Sequence, residues 1–219
     1  MLHLKQFKFS TQKYFYPLKI ITLACSVALG VTISSGELEA QGFWGSPSSG
    51  KTLVKFKNKH RTGTIIVSFA DRRIYRILDK KRALSYPIAI PKGDARWSAT
   101  LPVSKKAVNP DWRPTPRMRR ENPKLPAFVP GGHKKNPLGV RALYLGDTLY
   151  RIHGTDAPWL IGKAVSSGCI RMYNKDVIDL YNRTQIGTKV IVNWKKYQVV
   201  SFDQYNSRQA FLDPFQNYE

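Results

Sequence analysis

Short segments rich in β-branched and aromatic residues recur through the middle of this 219-residue chain, and they restrict it to a mainly β fold. Residues 64–69 are β-branched and aromatic, and residues 73–78 alternate charged with apolar side chains. The three residues between these segments can turn, so the stretch predicts a hairpin. The further strand candidates are 83–90, 143–152 and 189–194. These patterns predict strands, but they do not fix the order of the strands in a sheet.

The clearest helix signal lies in residues 174–181. Asn174 is a candidate N-cap, and apolar residues follow it with helical spacing. The hydrophobic content of 42% supplies a core, and the aromatic content of 12% argues against a fully disordered chain. A disulfide-stapled miniprotein is excluded, because the chain has only two cysteines, Cys25 and Cys169.

The first 40 residues have the composition of an export signal. Four lysines precede an uncharged, mostly apolar stretch at 20–36, and two glutamates follow it. The apolar stretch is slightly shorter than the roughly 20 residues that span a bilayer comfortably. Residues 1–40 are therefore predicted to be a cleaved signal peptide, with a retained N-terminal anchor as the alternative. Export would place the protein in the periplasm or the cell envelope.

The chain is strongly basic, with a formal net charge of +22. Removal of residues 1–40 takes away four lysines and two glutamates, so most of this charge remains. Such a surface adheres to polyanions, namely nucleic acid, anionic lipid or an acidic wall polymer. Export argues against a nucleic-acid partner, and membrane contact is expected only through the N-terminal segment. A basic surface that merely aids solubility is the alternative.

Composition also predicts the domain boundaries of the mature chain. Residues 41–61 are rich in Gly, Ser and Lys and are predicted to be a linker. The strand and helix signals fall within 62–194, and 195–219 form a C-terminal extension with several aromatic residues. Seven of the 14 prolines lie in residues 110–137 together with several arginines. This segment is predicted to be a long, ordered loop that either covers the substrate or is a passive insertion.

The segment that carries chemistry runs from residue 152 to residue 171. A cysteine attacks carbonyl groups as its thiolate, so Cys169 needs a neighbouring base or a positive environment. His153 ends a strand-like run sixteen residues earlier. Histidine can take the proton of a thiol near neutral pH and return it to a leaving amine. The structural alternatives are an inert core thiol and a surface histidine at a strand end.

Two neighbours of Cys169 fit acyl transfer. Gly168 lets a substrate approach the backbone closely, and the amides near the cysteine could hold a developing oxyanion. Arg171 places a planar cation two residues beyond the thiol, where it could clamp a substrate carboxylate. By spacing alone, His153 and Cys169 make a moderate signal for a cysteine nucleophile with a histidine base.

Metal and serine chemistry are poorly supported. Beyond the candidate nucleophile, the mature chain has histidines only at 60, 133 and 153, with no close pair of metal ligands. Ser166 and Ser167 lack the G-x-S-x-G elbow of serine hydrolases. Neither a metal nor an organic cofactor is expected, because acyl transfer needs a nucleophile, a proton shuttle and oxyanion donors.

His-Gly-Thr at 153–155, followed by Ser-x-Gly-Cys-hydrophobic-Arg at 166–171, resembles the active-site signature of the L,D-transpeptidases with the YkuD-type catalytic domain. These are enzymes of bacterial peptidoglycan. The resemblance covers roughly residues 62–194 and includes 136–139 and 141–145. It implies a YkuD-type β-sandwich-like catalytic domain with a short helix after the cysteine. It further implies the site roles, which are Cys169 as nucleophile, His153 as general base, Arg171 in substrate binding and Gly154 in orienting the imidazole.

The resemblance also implies a reaction. Such enzymes attack the carbonyl of the third residue of a tetrapeptide stem, expel D-alanine and hold the stem as a thioester on cysteine. An amine acceptor then resolves the thioester, which forms a 3→3 crosslink or anchors an outer-envelope protein. A thiol hydrolase or L,D-carboxypeptidase would use the same residues with water as acceptor. A non-catalytic, cationic wall-binding protein is a further alternative.

One departure from the family pattern concerns residue 167. The family usually has a second histidine two residues before the cysteine, and this chain has Ser167 there. A serine cannot act as a base at neutral pH, so the contribution of that histidine to oxyanion binding or thiolate stabilisation must be lost or replaced by a hydroxyl. Activity is expected to survive, because His153 is retained. Residues 97–102 also lack the Thr-Pro-x-Gly turn common in relatives.

Overall fold

The structure, a computed structural model, describes residues 49–204, and this part contains twelve strands and two α-helices. The strands are β1 (Thr52–Lys55), β2 (Ile65–Ser68), β3 (Arg73–Ile77), β4 (Arg82–Pro87), β5 (Ile90–Pro91), β6 (Ala99–Val108), β7 (Arg141–Leu145), β8 (Arg151–His153), β9 (Ala164–Ser166), β10 (Ile170–Arg171), β11 (Lys189–Asn193) and β12 (Val200–Ser201). The helices are α1 (Pro116–Glu121) and α2 (Asn174–Asn182). The predicted signal peptide at 1–40 and residues 205–219 of the predicted extension lie outside the described residues.

Ten of the strands form one sheet in the order β10-β8-β7-β6-β11-β2-β3-β4-β1-β12, and β5 pairs with β9. Most neighbouring strands are antiparallel, but β2 pairs with β11 and β8 pairs with β10 in parallel. Val67 of β2 belongs to the same buried cluster as Leu145 of β7 and Ile152 of β8, although β6 and β11 separate β2 from β7 in the sheet. The sheet therefore curls around a common core. The prediction of a mainly β domain with a short helix after Cys169 is confirmed.

Helix α2 closes one side of this core. Val177 and Leu180 on α2 have no exposed surface and join the main cluster. Burial of side chains of this size contributes roughly 1.5–3 kcal/mol each. The predicted N-cap role of Asn174 is wrong, because Tyr173 occupies the cap position and Asn174 is the first helical residue. Its side chain instead bonds to the backbone of Thr155.

The predicted linker at 41–61 is not a linker along its whole length. Residues 52–55 form β1, which pairs with β4 on one edge and with β12 on the other. Val54 and Phe56 pack into a second apolar cluster with Tyr75, which lies on the other face of β3 from Ile74. Val54 and Phe56 are two residues apart, so their side chains point to the same face of an extended chain, which explains the strand. The glycine, serine and lysine content of the segment led to the linker prediction.

One of the strand predictions changes in detail, and one strand was not predicted. Residues 143–152 form two strands rather than one, because the chain turns at Gly146, whose φ is +52°, before β8 begins. Strand β6 is the longest in the described chain, yet half of its side chains are exposed and only Val103 is buried. It lies between β7 and β11, and backbone hydrogen bonds to both neighbours stabilise it although its sequence has little apolar pattern. The predicted hairpin of β2 and β3 is confirmed.

Residues 110–137, hereafter the covering segment, are ordered by a small apolar cluster of their own. Trp112 and Val129 pair as an isolated bridge and pack with Leu138. The six-residue helix α1 begins with Pro116, and the hydroxyl of Thr115 accepts a hydrogen bond from a backbone amide of its first turn. The proline-rich segment thus interrupts the sheet as a compact, ordered loop. Neither helix in residues 49–204 has the length and apolarity needed to cross a membrane.

Candidate active site

The pairing of β8 with β10 brings the sequence-predicted residues together. The register places Ile152 beside Ile170 and His153 beside Arg171. Both isoleucines have no exposed surface and point into the main core. Because side chains alternate along a strand, His153 and Arg171 point to the opposite face, and the residues before the isoleucines, Arg151 and Cys169, share that face.

A cavity of about 700 Å³ opens on this face. His153, Cys169, Arg171 and Ser167 all line it, so the structure gathers the predicted catalytic and substrate-binding side chains in one place. Part of the covering segment forms another wall, contributed by Trp112, Arg113, Thr115, Pro116, Arg117, Met118 and Leu125. This geometry favours the prediction that the segment covers a substrate over the alternative of a passive insertion.

The imidazole of His153 is held as a neutral base. It is buried, with 3% of its surface exposed, and its Nδ1 lies 2.6 Å from the Gly154 carbonyl oxygen. That contact assigns the proton to Nδ1, which donates to the carbonyl, and leaves Nε2 as an acceptor. Burial, with a smaller contribution from the positive charge of Arg171, lowers the pKa of His153 to about 3. The histidine is therefore uncharged at neutral pH.

Cys169 is the free cysteine of the described residues and is partly exposed to the cavity. Its Sγ lies 3.7 Å from the Leu149 carbonyl oxygen, which can accept the thiol proton. Burial raises the pKa of the Cys169 thiol above its usual value, and the charges of Arg151 and Arg171 offset part of this increase. The Cys169 thiol and the His153 imidazole are therefore both neutral at rest, so any nucleophilic attack by the sulfur requires the loss of its proton.

Arg171 places a cation between the base and the exposed Asp156. Burial lowers the pKa of Arg171, and the nearby Asp156 counteracts this effect. No carboxylate in residues 49–204 lies within salt-bridge distance of Arg171. A guanidinium that faces a cavity without a bound carboxylate is suited to hold an anionic group of a ligand.

The turn before Cys169 is fixed by an aromatic pair. Trp97 and Tyr150 stack with their ring centroids 4.1 Å apart, and the Trp97 indole N–H donates to the Gly168 carbonyl at 2.9 Å. Gly168 has a φ of +135°, and a Cβ there would lie 2.7 Å from a ring carbon of Tyr150. Only glycine fits this position without displacing the ring.

Hydrogen bonds inside the turn change the role expected for the Gly168 amide. The hydroxyl of Ser166 donates to the Cys169 carbonyl at 2.5 Å and accepts from the Gly168 N–H at 3.3 Å. The Gly168 amide is thus turned toward Ser166 rather than presented to a ligand. The structure supports a conformational role for Gly168, and it does not bring this amide forward as an oxyanion donor.

Sequence reasoning missed how the turn after His153 is held. The Asn174 side chain accepts from the Thr155 N–H at 3.1 Å and donates to the Thr155 carbonyl at 3.0 Å. A Cβ on Gly154 would lie 2.1 Å from the Asn174 Oδ1, so glycine is required for this close approach. The sequence shows only a polar residue, Asn174, at the start of a helix, and an N-cap role is the usual explanation for such a residue.

In residues 49–204 no group of three or more His, Cys, Asp and Glu side chains is arranged to hold a metal ion. The cavity instead combines one thiol, one imidazole and several guanidinium groups. This set can perform nucleophilic attack, proton transfer and binding of an anion.

Comparisons with known proteins identify relatives of this chain. A curated relative, the probable L,D-transpeptidase ErfK/SrfK of Escherichia coli (strain K12), is 42% identical over 135 residues, which cover 58% of this chain and 42% of that protein. The chain spans half or less of the length of the first four curated relatives. A solved structure described as a probable carnitine operon oxidoreductase from Brucella melitensis is 37% identical and covers 67% of this chain and 95% of that chain, with a TM-score of 0.45. A solved L,D-transpeptidase from Mycobacterium smegmatis is 17% identical and covers 62% of this chain and 60% of that chain, with a TM-score of 0.48.

The family assignment comes from a profile rather than from these superpositions, whose TM-scores are below 0.5. The profile of the L,D-transpeptidase catalytic domain, YkuD, matches residues 62–192. This range is more than half of the chain and contains both β8 and β10 with the intervening turn. The chain therefore belongs to the family of YkuD-type L,D-transpeptidase catalytic domains.

Proposed function

We propose that this protein is an exported L,D-transpeptidase that acts on the peptide stems of peptidoglycan. The observation that carries the proposal is the register of β8 against β10, which places His153, Cys169 and Arg171 in one cavity of a chain that belongs to this family. These are the groups that acyl transfer requires, namely a thiol nucleophile, a base and a cation that can bind a carboxylate.

In the first step, the Cys169 Sγ attacks the carbonyl carbon of the third residue of a tetrapeptide stem. The thiol proton passes to the Nε2 of His153 as the carbon–sulfur bond forms. The bond to the terminal D-alanine then breaks, and the departing amine takes the proton from the imidazole. The products of this step are free D-alanine and a thioester on Cys169. The Gly154 carbonyl keeps Nδ1 protonated throughout, so the same ring nitrogen receives and returns the proton.

In the second step, an acceptor amine attacks the thioester. His153 takes a proton from this amine, and the carbon–sulfur bond breaks to return the sulfur, which regains its proton. An amine on a neighbouring stem gives a 3→3 crosslink, and an amine on an outer-envelope protein gives anchoring of that protein. Water in the same place would give hydrolysis. The basic cavity and the net charge of +22 favour a substrate that carries carboxylates.

The covering segment supports a substrate that is an extended peptide. Its residues line the same cavity as Cys169 and Arg171, and they include two arginines, Arg113 and Arg117. Arg117 is paired with Asp94 and Glu121 on the surface, whereas Arg113 lies over the Phe128 ring at 4.4 Å. The segment therefore lines the cavity with the Trp112 ring and the Arg113 cation, whereas two carboxylates offset the charge of Arg117.

The test is intact-protein mass spectrometry after incubation with a tetrapeptide stem. We expect an adduct with the mass of the stem less D-alanine, located on Cys169, and release of one D-alanine per adduct. C169A and C169S should form no adduct, and H153A should form it slowly while remaining folded. H133A is the matched control, because His133 is exposed and does not line the cavity. Wild-type turnover in a folded C169A protein would reject Cys169 as the nucleophile, and a folded wild-type protein that forms no adduct and releases no D-alanine would favour a cationic wall-binding protein.

Product analysis then separates the fates of the thioester. Crosslinked dimers identify the transpeptidase, and tripeptide stems without dimers identify a carboxypeptidase that uses water. Export is tested separately, by N-terminal sequencing of the protein recovered from the cell envelope. A mature N-terminus near residue 40 is expected, and recovery of the intact N-terminus in the membrane fraction would indicate the anchor instead.

A further inference from the structure

Arg151 is the first residue of β8, and its position relative to Cys169 follows from the strand register. Ile152 pairs with Ile170, so the residues immediately before them, Arg151 and Cys169, are neighbours across the two strands. Adjacent strands lie about 4.8 Å apart, and both side chains point away from the core on the same face. Both also line the cavity. The guanidinium group is thus the nearest fixed cation on this face to the sulfur.

The charge of Arg151 is not used elsewhere in the described chain. None of the ion pairs found in residues 49–204 includes Arg151. Its Nε is buried and has no hydrogen-bond partner, and its guanidinium lies 5.0 Å from the centre of the Tyr144 ring. An aromatic face attracts a cation without neutralising it, so this contact holds the group in place and leaves its charge available.

The site needs such a cation for two reasons. The family's second histidine is replaced by Ser167, which carries no charge. His153 is itself uncharged in the resting site, so it offers the sulfur an acceptor for its proton and no positive charge. An anionic sulfur forms transiently when the proton leaves and again when the thioester breaks, and a desolvated anion needs a nearby cation.

We propose that Arg151 is a further catalytic residue whose guanidinium stabilises the anionic sulfur of Cys169, the task for which Ser167 supplies no charge. The proposal rests on the proposed function for its role in turnover, but its effect on the sulfur can be measured without a substrate. No proton moves to or from Arg151. The thiol proton goes to His153, and the arginine remains a cation throughout.

Arg171 cannot replace Arg151 in this task. In the strand register Arg171 lies beside His153, whereas Arg151 lies beside Cys169. Both arginines lower the pKa of Cys169, and the effect of Arg151 is the larger of the two. Besides Cys169 itself, the charged and titratable groups around the same cavity are Arg113, Arg117, Tyr150, Arg151, His153, Asp156 and Arg171.

The experiment measures the rate of Cys169 alkylation by iodoacetamide as a function of pH, in the full chain without a stem substrate. Only the thiolate reacts, so the profile reports the pKa of the thiol. We expect R151Q to raise this pKa by about one unit, which lowers the rate near neutral pH about tenfold. R151K should lie between R151Q and the wild type. R120Q is the matched control, because Arg120 is exposed on α1 and does not line the cavity.

A second variant distinguishes a charge effect from a structural one. S167H in the R151Q background returns a titratable cation to the position before Gly168, so it should recover part of the alkylation rate below neutral pH, where the new histidine is protonated. Unchanged profiles for both R151Q and R151K would overturn the proposal, as would a slower R151Q without any shift in pKa. If R151Q does not fold, R151K and R151K/S167H carry the same comparison.

The outcome is independent of the proposed function. A pKa shift in R151Q together with no stem adduct on the wild-type protein would retain the role of Arg151 at the sulfur and reject the transpeptidase. A stem adduct on the wild-type protein together with no effect of R151Q and R151K would do the reverse.

Discussion

Replacement of Asn174 by alanine tests whether one side chain holds the turn that carries the base. Its amide bonds both backbone groups of Thr155, at 3.1 Å and 3.0 Å. Thr155 is 2% exposed, so both groups would lose their partners where water has little access. A hydrogen bond is worth about 1 kcal/mol net and a stranded buried group costs about 1–3 kcal/mol, so we expect N174A to lower the free energy of unfolding by about 2–4 kcal/mol.

The loss should also reach the chemistry, because Thr155 follows His153 by two residues. We expect N174A to slow adduct formation on Cys169 by about tenfold or more at a temperature where the protein remains folded, since small misplacements of a reacting group have effects of this size. Urea denaturation and the mass-spectrometric adduct assay measure the two effects. N174D keeps the acceptor oxygen and places a second oxygen against the Thr155 carbonyl, so it should not rescue stability.

The matched control is N182A, which changes an exposed asparagine at the other end of α2. It should leave both the stability and the adduct rate close to those of the wild type. An N174A protein that unfolds at the wild-type urea concentration and forms the adduct at the wild-type rate would refute the inference that Asn174 positions His153.

Two further predictions concern pH and the glycine before the nucleophile. As pH falls from about 6.5 to about 3, the unfolded chain binds a proton at His153 and the folded chain does not, so the free energy of unfolding should fall by up to about 1.4 kcal/mol per pH unit. H153Q should show a shallower slope in urea titrations over this range, and equal slopes would contradict the neutral buried histidine. G168A and G162A both place alanine at positive φ, but only position 168 adds a Cβ against Tyr150. G168A should therefore be less stable than G162A by about 1 kcal/mol or more in thermal unfolding, and equal losses would contradict the steric argument.

The site could be predicted from the sequence as far as its residues are close in the chain. Cys169 lies two residues before Arg171, and His153 opens a short signature, so local spacing carries these roles. The strands with β-branched residues have a strong apolar pattern, because β2 is fully buried and β11 has a buried residue at every second position. Local sequence therefore predicts a feature when the residues of one segment are enough to determine it.

The remaining features depend on pairing between distant segments. Strand β6 has only one buried side chain, and it exists because β7 and β11 supply hydrogen bonds on both sides. Asn174 looks like a cap until the turn after His153 is placed against α2. In both cases the local pattern has a second explanation, and only the tertiary contact decides between them.

Arg151 gives the same lesson about charge. A chain of net charge +22 has many arginines, and nothing in the local sequence marks this one. Its importance follows from two facts that appear only in three dimensions, which are that it faces Cys169 across β8 and β10 and that His153 is too buried to be a cation. A thiol and an imidazole that are both neutral at rest avoid the cost of a desolvated ion pair, but they leave the developing sulfur anion without a counter-charge. A fixed guanidinium beside the sulfur meets that requirement only while charge is present on the sulfur, and so it lowers the free energy of the attack more than that of the resting site.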